Sequence, residues 1–279
     1  MNMQATTANE TLQCERRGQF WFARLNRPDK RNALSEELIA RLGQVCAQVT
    51  ADLDARALVL WGAGGNFCAG ADFGRFMELM SGEPGHGEDP IVAHNRGFGA
   101  VLEQLAALPV PTIAIVRGAA MGGGCGLAAA CDRVIATDDA VFAMPETTLG
   151  VAPAQIAPFV ARRIGATRAR WLMLSAARLP AAAAHDAGLV DIVVPASELA
   201  ATARQALQAL AAAEPAAVRA TKRIVNRTLQ SGLPDTLDEA AREFAGLLRH
   251  GAAREGIAAS RERRPPAWQA PLPELPDFT

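Results

Sequence analysis

The segment Thr112-Ile-Ala-Ile-Val-Arg117 runs directly into Gly118-Ala-Ala-Met-Gly-Gly-Gly-Cys-Gly126 and then into Leu127-Ala-Ala-Ala-Cys131. No other feature constrains the fold of this chain as tightly. The first part has the makeup of a buried strand and the last that of a helix packed through small side chains. The glycines between them let another group come close to the main chain. A strand that ends in a glycine turn and opens a helix is a unit of α/β folds, and it leaves unpaired backbone N–H groups at the helix N-terminus. A second exit of this kind, Phe67-Cys-Ala-Gly-Ala-Asp72, follows the apolar run Ala57-Leu-Val-Leu-Trp-Gly62.

Around these units the chain alternates. Gln19–Asn26 reads as a strand, Arg27–Asn32 as turn chemistry, and Ser35 with Glu36 and Glu37 as the start of a helix burying Leu38, Ile39, Leu42 and Val45. A short helix is expected around Phe76, Met77 and Met80, then a surface loop over Ser81–Pro90. A longer helix from Ile91 to Leu108 is ended by Pro109 and Pro111. Arg133–Thr137, Ala140–Ala143 and Leu189–Val194 read as further strands, and helices dominate from Pro153 onward. The pattern predicts an α/β core to about Pro195, a helical C-terminal part, and a proline-rich tail, Pro265–Pro276, on a surface or a neighbour.

Composition narrows the partners. Lys+Arg 28 against Asp+Glu 29 leaves a net charge of −1, with no electrostatic case for nucleic acid or an anionic membrane. The lysines are Lys30 and Lys222, and neither stands in a P-loop string. Cys14, Cys46, Cys68, Cys125 and Cys131 have neither metal-ligand spacing nor the look of a secreted disulfide framework. Met1–Arg17 lacks the pattern of a signal peptide, and no apolar run reaches the roughly 20 residues that span a bilayer. The expectation is a soluble, cytoplasmic protein of a reducing compartment, without a metal.

Two readings of the glycine exits stand side by side. Converging, they would form an oxyanion hole of backbone donors for charge developing on a carbonyl oxygen. Alternatively, Gly124-Cys-Gly-Leu-Ala-Ala129 fits the G-x-G-x-x-A dinucleotide fingerprint, with Glu146 at about the expected distance of 20 residues. Glu146 is also the carboxylate singled out for proton transfer. It lies in the apolar stretch Phe142-Ala-Met-Pro-Glu-Thr-Thr-Leu-Gly150, where burial raises a carboxyl pKa toward neutrality. Its alternative role is that of a first-turn helix acid. Asp72 and Asp132 read as local caps or pairs. No G-x-S-x-G elbow or histidine triad pattern supports nucleophilic catalysis.

Taken together, Leu25-Asn-Arg-Pro-Asp-Lys-Arg-Asn-Ala-Leu34, Phe67-Cys-Ala-Gly-Ala-Asp72, Gly118-Ala-Ala-Met-Gly-Gly-Gly-Cys-Gly-Leu127 and Met144-Pro-Glu-Thr-Thr-Leu-Gly150 resemble the enoyl-CoA hydratase/isomerase (crotonase) family. Ala187-Gly-Leu-Val-Asp-Ile-Val-Val194 resembles a later signature of that family, so the likeness runs from Gln19 to Arg261. The resemblance implies an α/β fold, a spiral of β-β-α units over residues 1–200. It implies a helical region over 201–279 that serves oligomerisation and covers the active site in a homotrimer or homohexamer.

The resemblance further implies an acyl-CoA thioester substrate and no cofactor beyond the coenzyme A of that thioester. Its carbonyl would be held by the N–H groups of Ala71 and Gly123, with Glu146 as acid/base. Lys30, Arg31 and Ala69 would line the pantetheine and adenine path, Arg31 being a candidate phosphate partner. Gly70, Asp72, Gly122, Gly126, Phe76, Met121 and Leu149 complete the substrate-binding set. The acyl pocket would draw on Phe73, Phe76, Met77, Met80, Met121, Leu149 and Val151.

This sequence departs from the family at Gly126 and over Gly150–Phe159, which lacks the glycine-rich string usual in hydratases. Hydratases of the family commonly carry a second glutamate where Gly126 stands. Hydration of a 2-enoyl-CoA remains the leading expectation, with a branched or glutaconyl-type acyl group suggested by Gly150–Phe159. A 3-enoyl to 2-enoyl isomerase working with a single glutamate, or a catalytically inactive acyl-CoA-binding relative, are the alternatives.

Overall fold

Alternation along the strands sorts side chains onto the two faces of one sheet. In a computed structural model of the chain, which describes residues 10–81 and 89–278, β1 (Leu12–Arg17) and β2 (Phe20–Leu25) pair antiparallel. α1 (Glu36–Ala51) leads to β3 (Ala57–Gly62), and α2 (Phe73–Ser81) and α3 (Pro90–Ala107) lead to β4 (Thr112–Val116). Next come β5 (Ala119–Met121), α4 (Gly123–Ala130), β6 (Arg133–Thr137), β7 (Val141–Ala143), α5 (Ala157–Ile164) and α6 (Ala166–Ser175). β8 (Leu179–Pro180), α7 (Ala181–Asp186) and β9 (Ile192–Val194) close the α/β part. α8 (Leu199–Ala212), α9 (Pro215–Arg227), α10 (Leu233–His250) and α11 (Ala253–Glu262) follow.

The large sheet has the order β1-β2-β3-β4-β6-β9, parallel from β2 onward, and a small sheet has the order β5-β7-β8. The chain therefore spirals. β4, β5 and α4 make one turn, and β6, β7 and the helices α5–α6 make the next, each giving one strand to each sheet. Two earlier turns repeat the path with single bridges, Leu34 on Ala71 and Cys68 on Ala120, in place of a short strand.

Local chemistry places the helices as expected. Ser35 caps α1 by accepting from the Leu38 N–H at 3.3 Å, and Leu38, Leu42, Val45, Cys46 and Val49 are buried beneath it. Asp89 caps α3, and Glu214 caps α9 ahead of Pro215. The loop expected over Ser81–Pro90 falls almost wholly on residues 82–88, outside the described residues.

Three strands escaped the sequence reading. β1 is an edge strand, so its outward residues Gln13, Glu15 and Arg17 hide the apolar pattern. β5 and β8 are too short to show a period and exist because β7 lies between them. Leu189–Val194 contributes only Ile192–Val194, since Leu189 and Val190 are buried in the turn out of α7.

The two faces of the sheet carry separate cores. Leu58, Leu60, Ala114 and Val116 face α1, α3 and α4, whereas Val59, Trp61, Ile113 and Ile115 face α8 and the tail. The tail lies on the protein's own sheet. Phe278 is buried with its ring edge-on to Trp61 at 5.4 Å, and Arg56 donates to the carbonyls of Ala211, Ala213 and Trp268.

Candidate active site

The site begins at the Arg27–Asn32 turn, where the sequence reading did not single out Asn32. Asn32 is fully buried with φ of 58°, a left-handed conformation that asparagine tolerates. Its Nδ2 donates to the carbonyls of Ala63 at 2.9 Å and Asn66 at 2.7 Å, and its Oδ1 accepts from the Arg27 N–H at 2.8 Å. The Arg27–Asn32 turn is thereby pinned to the exit of β3. Arg27 then pairs with Asp72 at 2.9 Å, and Asp72 also accepts from the Gly74 N–H.

Backbone pairing lays the two glycine exits side by side. Cys68 N–H donates to Ala119 O and Met121 N–H to Cys68 O, both at 2.9 Å. On the other flank Leu34 N–H donates to Gly70 O at 2.8 Å, and Asp72 N–H to Leu34 O at 3.2 Å. Because Leu34 bonds to the residues on either side of Ala71, the Ala71 N–H itself turns away from it. Gly123 is the first residue of α4, whose opening N–H groups have no intrahelical partner. Neither of these two N–H groups meets an acceptor among the described residues.

Close approach explains the glycines. Gly70 has φ of 92°, and a Cβ there would lie 2.8 Å from Met121 O and 3.7 Å from Gly123 N. Gly122 has φ of 49°, and its Cβ would stand 2.8 Å from Glu146 Oε1 and 4.0 Å from Gly70 Cα. Both turns and the carboxylate thus converge on one point.

Glu146 opens a 3-10 turn, Glu146–Leu149, secured by Thr147 Oγ1 on Met173 O and Thr148 Oγ1 on Pro145 O. Its Oε2 is buried without a hydrogen-bond partner. Burial pushes its pKa above the ordinary carboxylate value, against the smaller opposing pull of its own backbone N–H. Nearby, burial drives the Cys68 and Cys125 thiols up to about 12, so neither is a ready nucleophile.

These groups face a cavity of about 330 Å3. Ala69, Gly70, Ala71, Gly122, Gly123 and Glu146 form one side of it. Phe76, His94, Asn95 and Phe98 from α2 and α3 form a second, and the run from Leu149 to Ile156 supplies most of the third. Among the described lining residues Glu146 is the one carboxylate. His94 faces Glu36 at 3.2 Å and the edge of Phe76 at 5.2 Å.

Several expected site residues lie elsewhere. Lys30 and Arg31 are exposed outside the cavity, and Arg31 O accepts from the N–H of the lining residue Ala69 at 2.9 Å. Asp72 is the clip to Arg27, and Met121 stands behind the wall, paired with Cys68. Gly126 is buried and does not reach the cavity, because a Cβ there would sit 2.2 Å from Ile156 Cγ2. Leu149 and Val151 line the cavity as expected, while Met77 and Met80 are exposed and do not line it. The side chain of Phe73 lies outside the described residues. Sequence reasoning missed His94, Asn95, Phe98, Gln155 and Ile156, since nothing local says which face of α3 meets a cavity.

The dinucleotide reading fails on the same packing. Gly124 closes on Cys68 O, where a Cβ would lie at 2.5 Å, and Gly126 closes on Ile156, so these glycines face protein instead of a groove.

Comparison with known proteins agrees with this geometry. A family model described as enoyl-CoA hydratase/isomerase matches residues 18–271. The chain is 35% identical over 260 residues to the "Probable enoyl-CoA hydratase echA8" of Mycobacterium bovis, covering 93% of this chain and 98% of that one. It is 31% identical to the "Short-chain-enoyl-CoA hydratase" of Clostridium acetobutylicum, covering 90% and 94% of the two chains. Among solved structures, an enoyl-CoA hydratase/isomerase from Marinobacter aquaeolei superposes with a TM-score of 0.90 at 41% identity, covering 94% of this chain and 100% of that one. Pseudomonas aeruginosa AtuE superposes with a TM-score of 0.89 at 41% identity and the same coverage.

Proposed function

The chain belongs to the enoyl-CoA hydratase/isomerase family and has its crotonase fold, and from that premise we propose that it adds water across the double bond of a 2-enoyl-CoA thioester. The observation that carries this reading is a half-buried carboxylate, Glu146, with its Oε2 buried, the one carboxylate among the described lining residues, beside the backbone N–H groups of Ala71 and Gly123, which meet no acceptor among the described residues, in an otherwise largely apolar cavity.

The thioester oxygen sits between the two N–H groups, which are fixed before the reaction and cost no reorganisation as charge develops. Glu146 takes a proton from water as the water oxygen bonds to C3. The double-bond electrons move onto the thioester oxygen as an enolate. The enolate then collapses, and the proton returns from Glu146 to C2. A carboxyl with a raised pKa suits both halves of this exchange.

Lys30 and Arg31, exposed beyond Ala69, are read as lining the pantetheine and adenine path of coenzyme A, with Arg31 the candidate phosphate partner. The run from Leu149 to Ile156 shapes the acyl end, where a branched or glutaconyl-type group is the reading. The helical region 201–279 exposes Val225, Leu233, Leu237, Phe244 and Ile257, and second copies of this chain cover that apolar row in a homotrimer or homohexamer.

One observation favours a second reading. With no room for a side chain at Gly126, the single carboxylate suits a 3-enoyl to 2-enoyl isomerase, which moves one proton between two carbons. Purified protein offered a panel of 2-enoyl- and 3-enoyl-CoA esters in deuterated water separates the two by mass spectrometry. Gain of one water establishes the hydratase. Deuterium uptake with a shifted double bond and no added water replaces it with the isomerase.

A further inference from the structure

We propose that the amide pair Asn95–Gln155 holds the attacking water opposite Glu146; the inference rests on the hydratase reading and deepens it. Gln155 Nε2 donates to Asn95 Oδ1 at 2.8 Å, joining α3 to the segment that enters α5, and both residues line the cavity. The pair is built into the fold. The Gln155 amide is seated against buried Gly99, where a Cβ would fall 1.9 Å from Gln155 Oε1, so only glycine at 99 leaves it that place.

The pair shares the cavity with the reacting centre, and two routes of packing connect them. Along α4, Gly122 abuts Glu146, while Gly126, one helical turn or about 5.4 Å further on, abuts Ile156, the neighbour of Gln155. Along α3, Asn95 is one turn from Phe98, whose ring would lie 3.3 Å from a Cβ on Gly123. Of the remaining polar side chains described at the cavity, His94 is turned to Glu36 and Phe76.

Water needs a second anchor here. A molecule held only by Glu146 can rotate its lone pair off C3, and the surrounding walls are apolar. With Gln155 Nε2 bonded to Asn95 Oδ1, the pair leaves Gln155 Oε1 and the Asn95 NH2 without another bond among the described residues. The carbonyl accepts the proton that the water retains, and the NH2 is a donor to its oxygen. Asn95 and Gln155 are thus positioning residues, and Glu146 alone moves the proton.

The test compares Gln155→Met and Gln155→Glu with the wild type in two assays: hydration of the best 2-enoyl-CoA, and C2–H exchange of its saturated analogue in deuterated water, which needs no attacking water. Gln155→Met is expected to lower kcat for hydration about a hundredfold, with KM and the exchange rate each within about twofold of wild type. Gln155→Glu, which keeps an acceptor, should recover most of the loss. Wild-type hydration by Gln155→Met, or an equal fall in hydration and exchange, overturns the assignment. A wild type that exchanges but hydrates no ester overturns the hydratase reading itself, and the inference with it, before any variant is made.

Discussion

Glu146 is a carboxylate that the fold makes costly to ionise, and its consequences can be measured separately. Glu146→Gln keeps the shape and removes the proton carrier, so turnover should fall by about a thousandfold or more while acyl-CoA affinity stays within a few fold. Turnover at wild-type level in that variant would end the acid/base assignment. In the wild type, kcat/KM should fall on acidification along a limb lying above the usual glutamate value of about 4.3. Stability runs the opposite way with pH. Folding raises this pKa, so its contribution is fully present below the unfolded value and is lost as pH rises through the folded one. Glu146→Gln escapes that loss, and its Tm should exceed the wild type's at about pH 7.5, with the gap closing below about pH 4. Glu146 was legible in the sequence because its neighbours are apolar. Asn32 and Gln155 were not, because each owes its role to atoms more than 30 residues away.

At the scale of elements, the glycine exits show what pattern can and cannot carry. A strand, glycines and a small-residue helix declare a turn that something approaches closely, and Gly70 and Gly122 meet that reading. The same string contains Gly126, whose reason is the packing of α4 against Ile156. Gly126→Ala drives a Cβ into Ile156 and should cost about 1–3 kcal/mol, read as a lowered Tm. Gly126→Ala combined with Ile156→Val should recover part of that loss. An unchanged Tm for Gly126→Ala would show that the α4–α5 contact yields without strain. The short strands β5 and β8 belong here too, since they are defined by pairing with β7 and carry too few residues to display a period.

For the whole molecule, one sheet divides two cores, and the chain uses its C-terminal end to cover the outer one. Phe278 against Trp61 shows the proline-rich tail spent on the protein's own surface. The apolar row on α9–α11 remains outward, and light scattering on the purified protein should return three or six times the chain mass of 29.3 kDa. A monomer would leave that row unexplained and remove the oligomer from the proposal. The sequence by itself determined the α/β class, the helix start at Ser35, the paired glycine exits and the acid at 146, because each depends on near neighbours along the chain. Tertiary structure alone decided that Ala71, Gly123 and Glu146 meet at one cavity, that Gly126 is shut out of it by Ile156, and that Asn95 and Gln155 enter it. The reason is physical: contacts between segments far apart in sequence are selected by packing and backbone pairing, and neither leaves a periodic signal in any one segment.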